Sequence, residues 1–170
     1  MADQIVVITD TSVLVNFLVI DRVELMVALP GQQFVVTDHV RGEITEHYPD
    51  QLLRLENALE AGVLSEISVT ELAEVEAFAK LTATGLGIGE CSAIAVAAQR
   101  GYSIAIDDKT ARKRIAKLYP AMVVLTTESI VVELIRGSVL DVASADAIKL
   151  DWEQNHRFRL TFGSFGDRIA

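Results

Sequence analysis

Short apolar runs dominated by Val and Ile recur along the chain, each followed by a longer stretch in which apolar residues return every three or four positions. This alternation restricts the fold more than any other feature. A Val/Ile run with few polar interruptions needs cover on both faces, and βα crossovers supply that cover to a parallel sheet. Five strands are predicted, over Gln4–Thr9, Gln33–Thr37, Val63–Val69, Tyr102–Ile106 and Ala121–Leu125. The helix ends between them are marked by punctuation. Pro30-Gly31 stops the second helix, Pro49 suits a first turn, and Gly62, Gly85, Gly101 and Gly137 follow apolar-periodic segments as C′ residues. A length of 170 residues fits one α/β domain, 1–170, with a substantial core. The one composition shift comes late, where Trp152 and the run from Asn155 to Phe165 mix aromatics with arginines. The segment 141–170 is therefore expected to pack on the domain or on a partner chain.

Charge and cysteine usage narrow the function classes. Acidic residues number 24 against 15 basic ones, a formal charge of -9, which disfavours generic adhesion to nucleic acid while leaving room for a local basic patch. The single Cys91 forms no internal disulfide and supports no Cys-rich zinc site, as expected of a protein in a reducing cytoplasm. The longest apolar run, Val13 to Ile20, is short and contains Asn16, and no basic-then-apolar leader is legible, so neither export nor membrane spanning is expected.

The chemistry lies in carboxylates at element ends. Asp10 closes the first strand and precedes Thr11-Ser12 and an apolar helix, and Asp107-Asp108 repeat that arrangement after the fourth strand. Open α/β sheets place ligands at this carboxyl edge. The plain structural alternative is that Asp10 only N-caps the next helix. Glu43 falls about one turn into the helix after the second strand, and Glu90 opens the Ala-rich helix Glu90 to Arg100, whose Cys91, Ile94, Ala95 and Ala98 form a stripe toward the sheet. Either glutamate taken singly is explained by a helix dipole. Four acids converging on one edge repel one another and call for a cation, and their oxygen donors suit Mg²⁺ or Mn²⁺. Such ions serve phosphodiester hydrolysis.

At these residues the chain resembles the PIN-domain family, a nuclease fold found in many prokaryotic toxin-antitoxin ribonucleases. The resemblance spans nearly the whole chain. It rests on Asp10-Thr11-Ser12 with Leu14 and Phe17, on Val40 to Glu43, on Gly87-Ile88-Gly89-Glu90-Cys91-Ser92-Ala93, and on Asp107-Asp108 followed by Ala111-Arg112. It implies a three-layer α/β/α fold around a five-stranded parallel sheet in order 3-2-1-4-5, with strands one and four side by side. It further implies a Mg²⁺- or Mn²⁺-dependent endoribonuclease acting through Asp10, Glu43, Glu90 and Asp108. Asp10, Glu90 and Asp108 are then metal ligands, with Asp107 beside them as a further ligand or in support. An RNA substrate, a homodimer and an antitoxin protein are the partners it implies.

Around the acids, Thr11, Ser12, Asn16 and Thr127 are read as supporting polar groups. Asn16 either bonds Asp10 or satisfies a neighbouring backbone group, and the alternative for Thr126 and Thr127 is plain helix capping. Ile106 departs from the family pattern, which has Thr or Ser two residues before the last Asp; Asp107 is expected to compensate. Five of the fifteen basic residues crowd into Lys109, Arg112, Lys113, Arg114 and Lys117, immediately after the acidic pair. Lys109, Arg112 and Lys113 are candidate contacts to RNA phosphates, the alternative being a solvated helix face. In the tail, Arg157 and Arg159 alternate with Phe158 and Leu160. That pattern suits a docked extended segment, and aromatics beside arginines also stack on bases or bind a partner.

Other chemistries fit less well. His39, His47 and His156 lack metal-ligand spacing, and Gly85 to Gly89 lacks the Lys-Ser/Thr of a P-loop. An aspartyl phosphotransfer domain of the haloacid-dehalogenase or receiver kind would use Asp10 as nucleophile, but Ser12 stands where the former usually has a second Asp. A non-catalytic module that keeps the PIN fold to bind nucleic acid or protein is the remaining alternative.

Overall fold

The computed structural model describes residues 3–170. Five strands, β1 (Ile5–Thr9), β2 (Gln32–Thr37), β3 (Ser65–Ile67), β4 (Ser103–Ala105) and β5 (Val124–Leu125), pair in parallel in the order β3-β2-β1-β4-β5. The helices in chain order are α1 (Thr11–Val19), α2 (Glu24–Val27), α3 (Asp38–His47), α4 (Leu52–Glu60), α5 (Leu72–Thr82), α6 (Ile88–Arg100), α7 (Lys109–Leu118), α8 (Thr127–Arg136), α9 (Val142–Asn155) and α10 (Gly166–Ile169). A short 3-10 turn, Pro49–Gln51, leads into α4, so Pro49 does open a helical segment.

Successive strand residues point to opposite faces, and both faces are buried. Val7, Phe34, Val36 and Ala105 face one core with α1, α4, α8 and α9, whereas Ile8, Val35, Ile104 and Ile106 face a second with α5, α6 and α7. The Val/Ile runs are thus accounted for by double cover. The edge strands are shorter than the apolar runs that suggested them. Only Ser65–Ile67 of the run 63–69 pairs with β2, and only Val124–Leu125 of the run 121–125 pairs with β4. The apolar residues left over are used otherwise. The Val63 and Leu64 N–H groups close the end of α4 on the Ala58 carbonyl, and Leu64 is buried.

Two further expectations are corrected. Gly137 has φ -81, and the left-handed residue after α8 is Ser138 at φ 60. Helix α6 buries Cys91 through Ala97 on all sides, with Ala98 only half-buried, because α3 and α5 pack on it as well as the sheet. Its far end is tied to α5 by Arg100 and Glu74, the latter 1% exposed, with Nε–Oε2 at 2.7 Å. The guanidinium and two backbone N–H groups, of Thr70 and Glu71, hold the Glu74 carboxyl down at about 2.

The chain after β5 is integral to the first core. Trp152 on α9 is fully buried, edge-on to Phe17 at 5.8 Å, and its Nε1 donates to the Asn16 carbonyl at 2.7 Å. Among the described residues, no helix is long and apolar enough to cross a membrane.

Candidate active site at the carboxyl edge of the sheet

With β1 beside β4, Thr9 pairs with Ala105, so the residues that leave these strands emerge side by side at the point where the sheet order reverses. Asp10 leaves β1 and N-caps α1. Its Oδ2 accepts from the Ser12 N–H at 3.1 Å and from Ser12 Oγ at 2.7 Å. The Ser12 hydroxyl oxygen in turn accepts the Asp107 N–H at 3.0 Å, which locks the two strand ends together. Capping accounts for one carboxylate oxygen only. The other, Oδ1, is buried and has no hydrogen-bond partner among the described residues, in a side chain that is 2% exposed. Burial raises the Asp10 carboxyl to about 6, the Ser12 donors work against that rise, and the Glu43 charge adds to it.

Glu43 reaches this edge from α3. Its Oε2 accepts from Thr11 Oγ1 at 2.7 Å and its Oε1 from the Gly89 N–H at 2.9 Å. That second bond explains the glycine, since a Cβ on residue 89 would lie 2.5 Å from the Glu43 carboxylate. The obstacle is the end of a flexible side chain, so Gly89→Ala is expected to fold, with a thermal midpoint within a few degrees of wild type. It is also expected to drive Glu43 out of place. A displacement of about 1 Å costs on the order of a hundredfold in rate, so activity and midpoint measured together test whether Glu43 acts where it stands. Glu90, at the third position of α6, accepts the Gly87 N–H at 3.0 Å. Its carboxyl is pushed up to about 7, mainly by burial and further by the charges of Asp10, Asp108 and Glu43, while the Gly87 N–H opposes the rise.

The two adjacent aspartates part company. Asp108 N-caps α7, accepting the Ala111 N–H at 2.8 Å, and lies on the same side as Glu90. Asp107 turns the other way, accepting the Thr127 N–H at 2.8 Å and Thr127 Oγ1 at 2.6 Å. The Asn16 amide nitrogen lies 3.0–3.2 Å from the Ser12 carbonyl, Thr127 Oγ1 and Asp107 Oδ2, so its two hydrogens serve three acceptors. Asn16 therefore pairs with Asp107 rather than Asp10, and of the two threonines Thr126 is the helix cap. Burial raises the Asp107 carboxyl, against the Thr127 donors and the Arg112 charge. Asp107→Asn is expected to lose one of the Thr127 bonds at a cost of about 1–3 kcal/mol. A calorimetric metal titration of that variant with unchanged stoichiometry would identify a support, and loss of binding a ligand.

Asp10, Glu43, Glu90 and Asp108 thus come from four elements to one patch and feel one another's charge. Among the described residues, no three His, Cys, Asp or Glu side chains are drawn close enough to chelate an ion as they stand. The hydrogen bonds supply the reason: Glu43, Glu90 and Asp108 each rest on a backbone N–H, which separates like charges. An all-oxygen donor set with one orphaned buried carboxylate oxygen nevertheless fits a hard divalent cation. Lys109, Arg112 and Lys113 stand exposed on α7 beside it. Two features escaped the sequence reading. Gly89 was legible only as a motif letter, not as the seat of Glu43. The tail 157–160 was legible as a docked segment of arginines and apolar residues, but nothing in it showed that residues 158–161 wall a depression beside Asp107.

A family model described as DUF3368, PIN domain, matches residues 6–124. The fold is similar to that of VapBC2 from Rickettsia felis, crystallised bound to a DNA fragment from their promoter. That match has a TM-score of 0.50 at 12% identity and covers 72% of this chain and 98% of that one. It is also similar to PAE2754 from Pyrobaculum aerophilum, with a TM-score of 0.52 at 14% identity over 80% of this chain and 91% of that one. No curated protein matches the sequence.

Proposed function

This chain belongs to the PIN-domain family, and from that premise we propose that it is a divalent-metal-dependent endoribonuclease, the toxin of a toxin-antitoxin pair. The observation that carries the reading is Asp10 Oδ1, buried and without a hydrogen-bond partner among the described residues, in a side chain that feels the charge of Glu43 and acts on Glu90. A buried polar atom without a partner is costly, and a cation removes that cost while offsetting the repulsion.

In this reading Asp10, Glu90 and Asp108 hold Mg²⁺ or Mn²⁺, with Glu43 as the fourth acid. When bound, the metal supplies a water activated for attack and charge for the phosphate oxygens. Thr11 and the Gly89 N–H orient Glu43, and Ser12 orients Asp10. Asp107, held by Thr127 and Asn16, positions the end of β4. Lys109, Arg112 and Lys113 bind the phosphates of the RNA strand. The partners proposed are an RNA substrate, a second copy of the chain and an antitoxin protein, all in the cytoplasm, and residues 141–170 belong to the same domain.

The test is incubation of total RNA with the purified protein in Mg²⁺, in Mn²⁺ and in chelator. Fragments are expected with either metal and none in chelator. RNA left intact under all three conditions would overturn the reading, and would leave a binding module as the function of this fold.

A further inference from the structure

Beside Asp107 lies a solvent-open cavity of about 270 Å³. Asp107, Arg112, Thr126 and Glu128 line one side, and Phe158, Arg159 and Thr161 the other. Both walls draw on residues beyond the family-matched region, which ends at residue 124: Thr126 and Glu128 on one side, and the whole of the other. We propose that Arg159 and Arg112 form a two-arginine clamp for a backbone phosphate of single-stranded RNA, next to the acidic site. This rests on the ribonuclease reading and extends it to how the strand is held.

The segment that presents Arg159 is fixed on both sides of it. Upstream, Arg157 adopts φ 56 and turns the chain off α9, the Phe158 N–H donates to the Trp152 carbonyl at 3.2 Å, and the Phe158 ring meets Trp152 edge-on at 5.2 Å. Downstream, Phe162 and Phe165 pack 4.9 Å apart, and Asp146 accepts from Ser164 Oγ at 2.6 Å and from the Phe165 N–H at 2.8 Å. Little chain entropy remains to be lost when Arg159 takes a ligand.

The cations are free for that role. Arg159 and Arg112 are both exposed, and neither forms an ion pair with a carboxylate among the described residues, whereas Glu128 in the same wall is engaged by Arg168 at 3.4 Å. Arg112 and Arg159 share the cavity lining with Asp107, which stands one residue along the chain from Asp108. Guanidinium forks match phosphate oxygens bidentately, and the Thr126 and Thr161 hydroxyls are neutral donors of the kind that phosphate contacts also use.

The experiment compares wild type, Arg159→Gln, Arg159→Lys and Arg159→Glu in two assays. One is cleavage of a labelled single-stranded RNA in Mg²⁺ or Mn²⁺, and the other is equilibrium binding of the same RNA in chelator, where no cleavage is expected, across a salt series. Arg159→Gln should raise KM and Kd about five- to twentyfold with kcat within about twofold. It should also flatten the salt slope by about 0.7, the value for one single-strand phosphate that is no longer neutralised. Arg159→Glu should be worse, and Arg159→Lys should keep most of the binding. Cleavage by wild type with unchanged KM, Kd and slope in Arg159→Gln would overturn the clamp and leave the ribonuclease reading standing. Arg159-dependent binding without any cleavage would sustain the clamp and overturn the ribonuclease. Neither binding nor cleavage by wild type would overturn both.

Discussion

Asp10→Asn is expected to abolish metal-dependent cleavage, by more than about a hundredfold given that groups merely supporting a metal ligand are worth 10–100-fold. In chelator at pH 7.5 it is expected to melt higher than wild type. Asn caps a helix about as well as Asp, so the cap on α1 survives. The amide also removes a charge that the fold buries among other carboxylates. The Asp10 carboxyl rises from 3.8 to about 6, which corresponds to roughly 2–3 kcal/mol of strain in the ionised form, or about 6–9 °C for a chain of this length.

The sign with pH follows from the raised value. Between about pH 4 and 6 folded Asp10 retains a proton that the unfolded chain has released, so wild-type stability declines as pH rises through that window. The Asn variant lacks this titration. Its advantage in chelator should therefore be full at pH 7.5 and shrink toward pH 4. Mg²⁺ at about a thousand times its Kd reverses the order at pH 7.5, since it adds about 4.1 kcal/mol to the form that binds it, more than the roughly 2–3 kcal/mol that the Asn variant holds in chelator. Equal melting temperatures for the two proteins, with and without metal, would remove the four-carboxylate site.

Trp152→Ala is expected to carry the largest stability loss in the chain. A fully buried Trp replaced by Ala typically costs about 3–5 kcal/mol, or roughly 10–15 °C here. The indole also donates to the Asn16 carbonyl, and the Asn16 side chain lies within reach of Asp107 and Thr127, so the loss should loosen the acidic edge as well as the core. Trp152→Phe keeps most of the packing and gives up the N–H, and should lose about 1–2 kcal/mol. A thermal melt of Trp152→Ala within a few degrees of wild type would mean that α9 is only laid against the rest of the molecule.

The doubly covered parallel sheet and the strand-end positions of Asp10, Asp107 and Asp108 were legible in the residues alone. Apolar period reports which faces need cover, and an acid that follows a strand has nowhere to emerge but the carboxyl edge. Glu43 was legible as an acid about one turn into the helix after the second strand, and Glu90 as the acid that opens the Ala-rich helix. The resemblance to PIN domains supplied the strand order, which the pairing of β1 with both β2 and β4 bears out. Strand lengths at the edges were not legible, because a Val/Ile run looks the same whether its residues pair or, like Leu64, turn into the core.

Tertiary structure alone decided what each polar group faces. Asp107 and Asp108 are neighbours in sequence and both follow a strand. One is held by Thr127, twenty residues on, and the other caps its own helix beside Glu90. Asn16 meets Thr127 across 111 positions, and its carbonyl meets Trp152 across 136. Periodicity encodes the direction in which a side chain leaves the backbone. The donor or acceptor it then finds is set by elements packed from far along the chain, as with Arg159 beside Asp107, and no local pattern carries that information.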